Sequence, residues 1–286
     1  MNDITAGTGE RLYAAAGRAS LPVRVWQEKG LLPPAEVQHY PCSRILAVRY
    51  DRDGKESDRL AVLNLDMHIE ECTCAKIRKT IAAAGILRED RIYLQGTGNR
   101  SFAPAPSGGE GGWEQELAQH CVEQLADVQR SMTPVAVAEA ELEGQLVSKG
   151  SSVDPASGMP RREDPCRCMA FVKEDGSALA VMIDDAVSPC IRTSFDAVRQ
   201  ELGDAIACYV ERWGAGETVC LWSSAADTGK VPLISMRDGD ISEAAIGVLL
   251  RYYASLQGTA CIRFIEGCRR YREPAESIRV LRQAFS

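Results

Sequence analysis

Histidine is scarce in this sequence, three residues in 286, and aromatic side chains make up only 6% of it. His39 sits in a proline-flanked loop and His120 beside Cys121 in a helical stretch, and neither recurs in a ligand pattern. No run approaches the ~18 consecutive apolar residues of a membrane-spanning helix. The opening Met1-Asn2-Asp3-Ile4-Thr5-Ala6-Gly7 lacks the basic start and apolar stretch of a secretion signal. Those absences predict a cytoplasmic chain without a membrane span. Basic charge is in deficit as well, 33 Lys and Arg against 40 Asp and Glu for a net −7. That balance argues against nucleic acid as a partner, because polyanions reward clustered cations. Gly96-Thr97-Gly98-Asn99-Arg100 follows an apolar strand but lacks the Lys-Ser/Thr ending and third glycine of the phosphate-cradling loops.

What the chain does have is apolar material, 45% of its residues, enough for a large core. Its eleven cysteines are odd in number and scattered, so they read as reduced thiols packed as small apolar groups.

The order of elements repeats. Ile45 to Asp66 is two β-rich runs around Asp53-Gly54, a hairpin dipeptide, and Cys168 to Asp184 is two more around Asp175-Gly176. A helical stretch follows each hairpin: Ile77, Ile81 and Ala84 ending at Gly85, and Phe195, Val198, Leu202, Ile206, Tyr209 and Trp213 ending at Gly214. Thr193 and Asp196 form a capping-box pattern at the start of the second. Next come the strands Arg91 to Gln95 and Thr218 to Trp222, then helices through Trp113 to Val128 and Ile246 to Leu256. Last strands are expected at Val135 to Leu142 and Ala260 to Ile265.

The unit β-hairpin, α, β, α, β thus returns after about 123 residues. The expected fold class is α/β, with two pseudo-repeated units forming mixed β-sheets flanked by helices. The expected organisation is one composite domain: an N-terminal segment over 1–44, a first repeat over 45–147, a linker over 148–165, and a second repeat with a tail over 166–286.

Ligands in open α/β sheets bind beyond the carboxyl ends of strands. If these strand ends converge, they gather Asp66, Thr97, Asn99, Arg100, Asp184, Asp185, Ser188 and Asp227. The same residue types also cap turns and helices. His68, Cys72 and Cys74 form an alternative metal set, since His68 and Cys72 share a face if they lie on one helix. Cys190, after Pro189 and before a helix start, is a candidate nucleophile with a lowered thiol pKa.

The order of these landmarks resembles the N-terminal catalytic domain of the neutral, or alkaline non-lysosomal, ceramidases. The likeness covers Leu12 to Pro232. Ala14 to Pro22 is similar to that family's first strand, and Leu60 to Asp66 to its strand ending in Asp. Thr97 to Pro104 stands in the place of a Thr-His-Thr-His-Ser-Gly-Pro motif. Arg161-Arg162 with Asp164-Pro165, Ala186 to Pro189, and Ala225-Ala226-Asp227 resemble later landmarks. The resemblance implies a zinc site built on histidines, yet the matching positions hold Gly98, Arg100 and Ser188, none of them a neutral nitrogen ligand.

The expectation is therefore a non-catalytic, metal-free pseudoenzyme without a cofactor. It binds a small polar or anionic molecule, or a protein, through Asp66, Thr97, Asn99, Arg100, Ser101, Ser188 and Asp227. Arg100, in place of a metal ligand, is expected to satisfy Asp66 or Asp185 or to hold an anion. Two alternatives stand beside it. One is a hydrolase acting on an amide or ester through Cys190 or the carboxylates of Asp66 and Asp185, and the other is a metal-dependent hydrolase with its site moved to His68, Cys72 and Cys74.

Overall fold

A computed structural model describes residues 9–30, 36–37, 39–97, 112–142, 166–185, 197–198, 202–214, 216–224, 243–268 and 270–284. The first half of the chain runs β1 (Glu10–Ser20), α1 (Val23–Glu28), β2 (Glu36–Val37), β3 (Cys42–Arg52), β4 (Lys55–Leu65), α2 (Glu71–Ala83), β5 (Ile92–Gly96) and α3 (Gly112–Gln129). The second runs β6 (Thr133–Leu142), β7 (Cys166–Lys173), β8 (Ala178–Asp185), β9 (Ala197–Val198), α4 (Leu202–Trp213), β10 (Val219–Ser224), α5 (Glu243–Gly267) and α6 (Pro274–Ala284).

Both expected hairpins form, with different turns. Asp53 and Gly54 have φ of 52° and 73°, the left-handed pair that a two-residue turn of the primed type requires. In the second hairpin only Gly176 is left-handed, at φ 85°, and the Asp175 carboxylate accepts from both the backbone N–H and the hydroxyl of Ser177. A register shift between Phe171 and Val172 accompanies this longer loop.

Eight strands form one mixed sheet in the order β10-β8-β7-β6-β1-β3-β4-β5. Read from either edge, the sequence of types is the same: a strand parallel to its neighbour, then a hairpin, then an antiparallel strand. The two halves meet where β1 pairs with β6, over only two residue pairs, Tyr13 with Pro134 and Ala14 with Thr133. So short a junction lets the sheet fold over on itself.

The burial pattern records the result. Leu46, Val48, Leu60 and Val62 of one half pack against Phe171, Met182, Val219 and Leu221 of the other, with Ile278 and Leu281 of α6 closing that interior. The alternate residues face outward under helices, Ile45, Ala47 and Leu63 beneath α2 and α3, and Cys168, Val181, Ile183 and Trp222 beneath α4 and α5. Period-two alternation in the strands thus generates four layers, helix, sheet, sheet and helix.

Three sequence expectations shift. Ala260 to Ile265 is the continuation of α5, not a strand: Arg263 interrupts the stretch and is exposed, while Cys261 and Ile265, four apart, share the buried helix face. The helix expected from Phe195 begins at Leu202, with Val198 in β9 paired to Val37 instead, and Phe195, Thr193 and Asp196 lie outside the described residues. The strand expected to close the first unit, β6, pairs with β7 and β1 and so bridges the two halves.

Leaving Cys166 aside, the nine described cysteines are free, six of them buried, as expected for packed thiols. Among the described residues no helix is long and apolar enough to cross a membrane.

Candidate functional site

The open edge of β10 explains where charge enters the interior. Among the described residues its backbone groups have no strand partner on that side, and two side chains bond to three of them. The Asn64 amide donates to the carbonyl of Trp222 (2.6 Å) and accepts from the Trp222 N–H (3.2 Å), while Glu211 Oε1 accepts from the N–H of Cys220 (3.2 Å). An unpaired buried backbone group costs about 1–3 kcal/mol, so these contacts hold the two half-sheets together at the strand ends. Gly203 is needed here, since a Cβ on it would lie 2.5 Å from Trp222 Cδ1.

Past that edge, the interior-facing row of β3 ends in Arg44, which meets α4. Arg44 is wholly buried, donating from Nη2 to Asp204 Oδ1 (2.8 Å) and from Nε to Glu211 Oε1 (2.8 Å). Arg18 of β1 donates to Glu211 Oε2 at 2.7 Å. Asp204 lies in the first turn of α4, where the helix dipole favours negative charge, and Cys208 and Glu211 continue the same face. The Cys208 thiol donates to Asp204 Oδ2 at 3.5 Å, and burial, with Asp204 next, pushes that thiol up to about 12.

Asp66 follows the last residue of β4 and Thr97 the last of β5. The backbone fixes both: the Asp66 N–H donates to Cys42 O at 2.9 Å and the Thr97 N–H to Leu65 O at 2.8 Å. The Thr97 hydroxyl donates to Asp66 Oδ1 at 2.8 Å. Burial, reinforced by the charge of Asp204, raises the Asp66 carboxyl to about 7 against the opposing pull of Arg44, Thr97 and His39.

His39 completes the group from the segment between β2 and β3. That segment is anchored by the pairing of β2 with β9 and by the bond from the Leu21 N–H to Pro41 O (2.7 Å), and Tyr40 packs under the Arg24 guanidinium. Nε2 of His39 lies 2.7 Å from Asp204 Oδ2 and 3.8 Å from Asp66 Oδ2. Burial opposes charge on this imidazole, but the contact with Asp204 and the charges of Asp204 and Asp66 outweigh it and raise its pKa above the usual 6.5. Its side chain is 23% exposed, whereas Asp66 and Asp204 are fully buried, so His39 is the member that solvent reaches.

Of the residues expected at the strand ends, Asp66 and Thr97 are brought together. Asp184 and Asp185 end β8, whose pairing with β10 is parallel, and nothing further is described of their side chains. Asn99, Arg100, Ser101, Ser188, Cys190 and Asp227 lie outside the described residues, as do Gly98, Arg161, Arg162 and Asp164.

His68, Cys72 and Cys74 are not gathered as a set of ligands among the described residues. α2 begins only at Glu71, so His68 precedes the helix, while Cys74 is buried in the core face with its thiol pushed up to about 12 by burial. The group that is gathered there is His39, Asp66 and Asp204, with one ligand atom from each lying within 4.8 Å of the others.

No family model and no curated protein sequence matches the chain. Solved structures do match. The neutral ceramidase of Pseudomonas aeruginosa superposes with a TM-score of 0.65 over 91% of this chain at 13% identity. A ceramidase complexed with C2 superposes with a TM-score of 0.69, again over 91% at 13% identity. The fold is that of the ceramidases. The ceramidase-like architecture is thus shared, with only 13% of the residues identical. The chain spans less than half the length of those two proteins, 46% of the first and 45% of the second.

Proposed function

We propose that this chain is a non-catalytic relative of the ceramidase-like amidohydrolases that binds a small polar or anionic molecule in the strand-end cleft, at His39. The observation that carries this reading is the placement of one partly exposed imidazole over a buried charge network of Asp66, Asp204, Arg44 and Glu211. Arg44 is committed to two carboxylates inside the protein, so the ligand meets His39 rather than that guanidinium. The sequence supports the reading from the other side, since the positions that resemble the family's zinc histidines hold Gly98, Arg100 and Ser188. Asn99, Arg100, Ser101, Ser188 and Asp227 belong to the proposed lining of the same cleft.

Calorimetric titration with inorganic phosphate and with acetate tests it. The intact protein should bind one of these anions, and His39→Ala should weaken binding at least tenfold while leaving the far-ultraviolet circular dichroism unchanged. Absence of binding, or equal binding by both proteins, removes the reading.

The contact of His39 with Asp204 also favours a second reading, an amide or ester hydrolase in which His39 moves a proton and a carboxylate orients it. Turnover of an ester and amide panel by the intact protein, abolished in His39→Ala, would put that reading first. The remaining candidates for such a reaction, Cys190 and Asp185, would be tested on the same panel.

A further inference from the structure

We infer that His39 Nε2, Asp66 Oδ2 and Asp204 Oδ2 form a binding site for one divalent transition-metal ion, zinc being the first choice. The inference goes beyond ligand binding by the cleft and rests only on that cleft being the functional site.

The donor set is the first argument. One imidazole nitrogen and two carboxylate oxygens from three separate segments lie within 4.8 Å of one another. Such a mixed nitrogen and oxygen set suits zinc and its neighbours rather than calcium or magnesium, which take oxygen ligands.

The second argument is how the carboxylates are held. Each spends Oδ1 on a donor behind it, Asp66 on the Thr97 hydroxyl and Asp204 on the Arg44 guanidinium, and each turns Oδ2 toward His39 Nε2. Outer partners of this kind orient metal ligands. Arg44 is in turn fixed by Glu211, so the support extends two shells into the core.

The third argument is the surroundings. The Cys208 thiol lies 3.5 Å from Asp204 Oδ2, a sulfur donor next to the site, and the partial exposure of His39 provides a way in. In the metal-loaded state the ion takes the place of the proton between His39 and Asp204, whose 2.7 Å contact then opens to the spacing of ligands around a common centre. These are not the positions at which the resemblance to ceramidases implies zinc. They come from the β2–β3 segment, the end of β4 and the first turn of α4.

Protein stripped with a chelator should take up one zinc per chain in equilibrium dialysis followed by elemental analysis. A hundredfold excess over the dissociation constant should raise the melting temperature by about 5 °C. His39→Ala and Asp66→Asn should each lower zinc affinity at least tenfold, and Cys72→Ser, on the exposed side of α2, should leave it unchanged. Uptake below one zinc per chain overturns the inference. So does uptake that survives both site variants, or that is lost in Cys72→Ser.

Phosphate titrations on stripped and loaded protein separate this inference from ligand binding. Zinc uptake without phosphate binding in either state removes the ligand reading and leaves the metal site. Phosphate binding to stripped protein that takes up no zinc does the reverse.

Discussion

Replacing Arg44 with methionine should cost about 3–5 kcal/mol of folding stability, the range for breaking a buried ion pair from one side. The side chain is fully buried and its donors reach Asp204 and Glu211, which are themselves buried. Methionine fills comparable volume and leaves two carboxylates facing each other without the cation that made their burial tolerable. Arg44→Lys should recover only part of the loss, because an ammonium cannot present the planar fork that spans both acids. Arg18→Met is the matched control. Arg18 also reaches Glu211, but its side chain is 48% exposed, and a pair open to solvent is worth under about 1 kcal/mol. Urea midpoints of the three variants measure the difference, and a loss under about 1 kcal/mol for Arg44→Met would show that the network does not hold the half-sheets as described.

The second large effect is on the pH dependence of stability. In metal-free protein Asp66 holds its proton to about 7, against an ordinary value of 3.8. The folded state therefore binds that proton more tightly than the unfolded chain does. The resulting stabilisation is complete below about 4 and is lost as pH rises toward 7, a change of a few kcal/mol and at most about 4. His39, also raised, acts in the same sense at the upper end of that window, its contribution being lost as pH passes its folded value above 6.5. Asp66→Asn keeps an oxygen for the Thr97 hydroxyl but has nothing to ionise. Denaturant titrations between pH 5 and pH 8 should show stability falling with pH in the intact protein and a much flatter profile in the variant. Equal slopes would place Asp66 in solvent.

Much of this fold is legible in the residues, and the reason is period and punctuation. Asp53-Gly54 and the alternating runs beside it specify a hairpin locally, and Gly85 ends α2 with the positive φ, 71°, that such a terminator adopts. The ambiguity of Ala260 to Ile265 was of a different kind. A stretch that short, largely apolar but broken by Arg263, carries no clear period of its own, and only its continuity with α5 decides it.

Asp66 and Thr97 were legible as strand-end residues, because the rule that places sites beyond strand termini needs only the strands. His39 and Asp204 were not. One lies in a loop whose position depends on β2 pairing with a strand some 160 residues away, and the other reads as an ordinary acidic residue in a first helical turn. A signal was present in Arg44 itself, a guanidinium directly ahead of the apolar run Ile45 to Val48 and in the same period-two row as Leu46 and Val48. A buried cation demands carboxylates, and Asp204 and Glu211, seven apart on one helix face, are the pair that answers it.

The central claim is that His39, Asp66 and Asp204 meet at one site. Titration of the His39 ring by nitrogen-resolved NMR, on metal-free protein, tests this most directly. The geometry predicts a midpoint above 6.5 that falls in Asp66→Asn. A midpoint at or below 6.5, indifferent to that substitution, would mean that the imidazole does not face the two carboxylates.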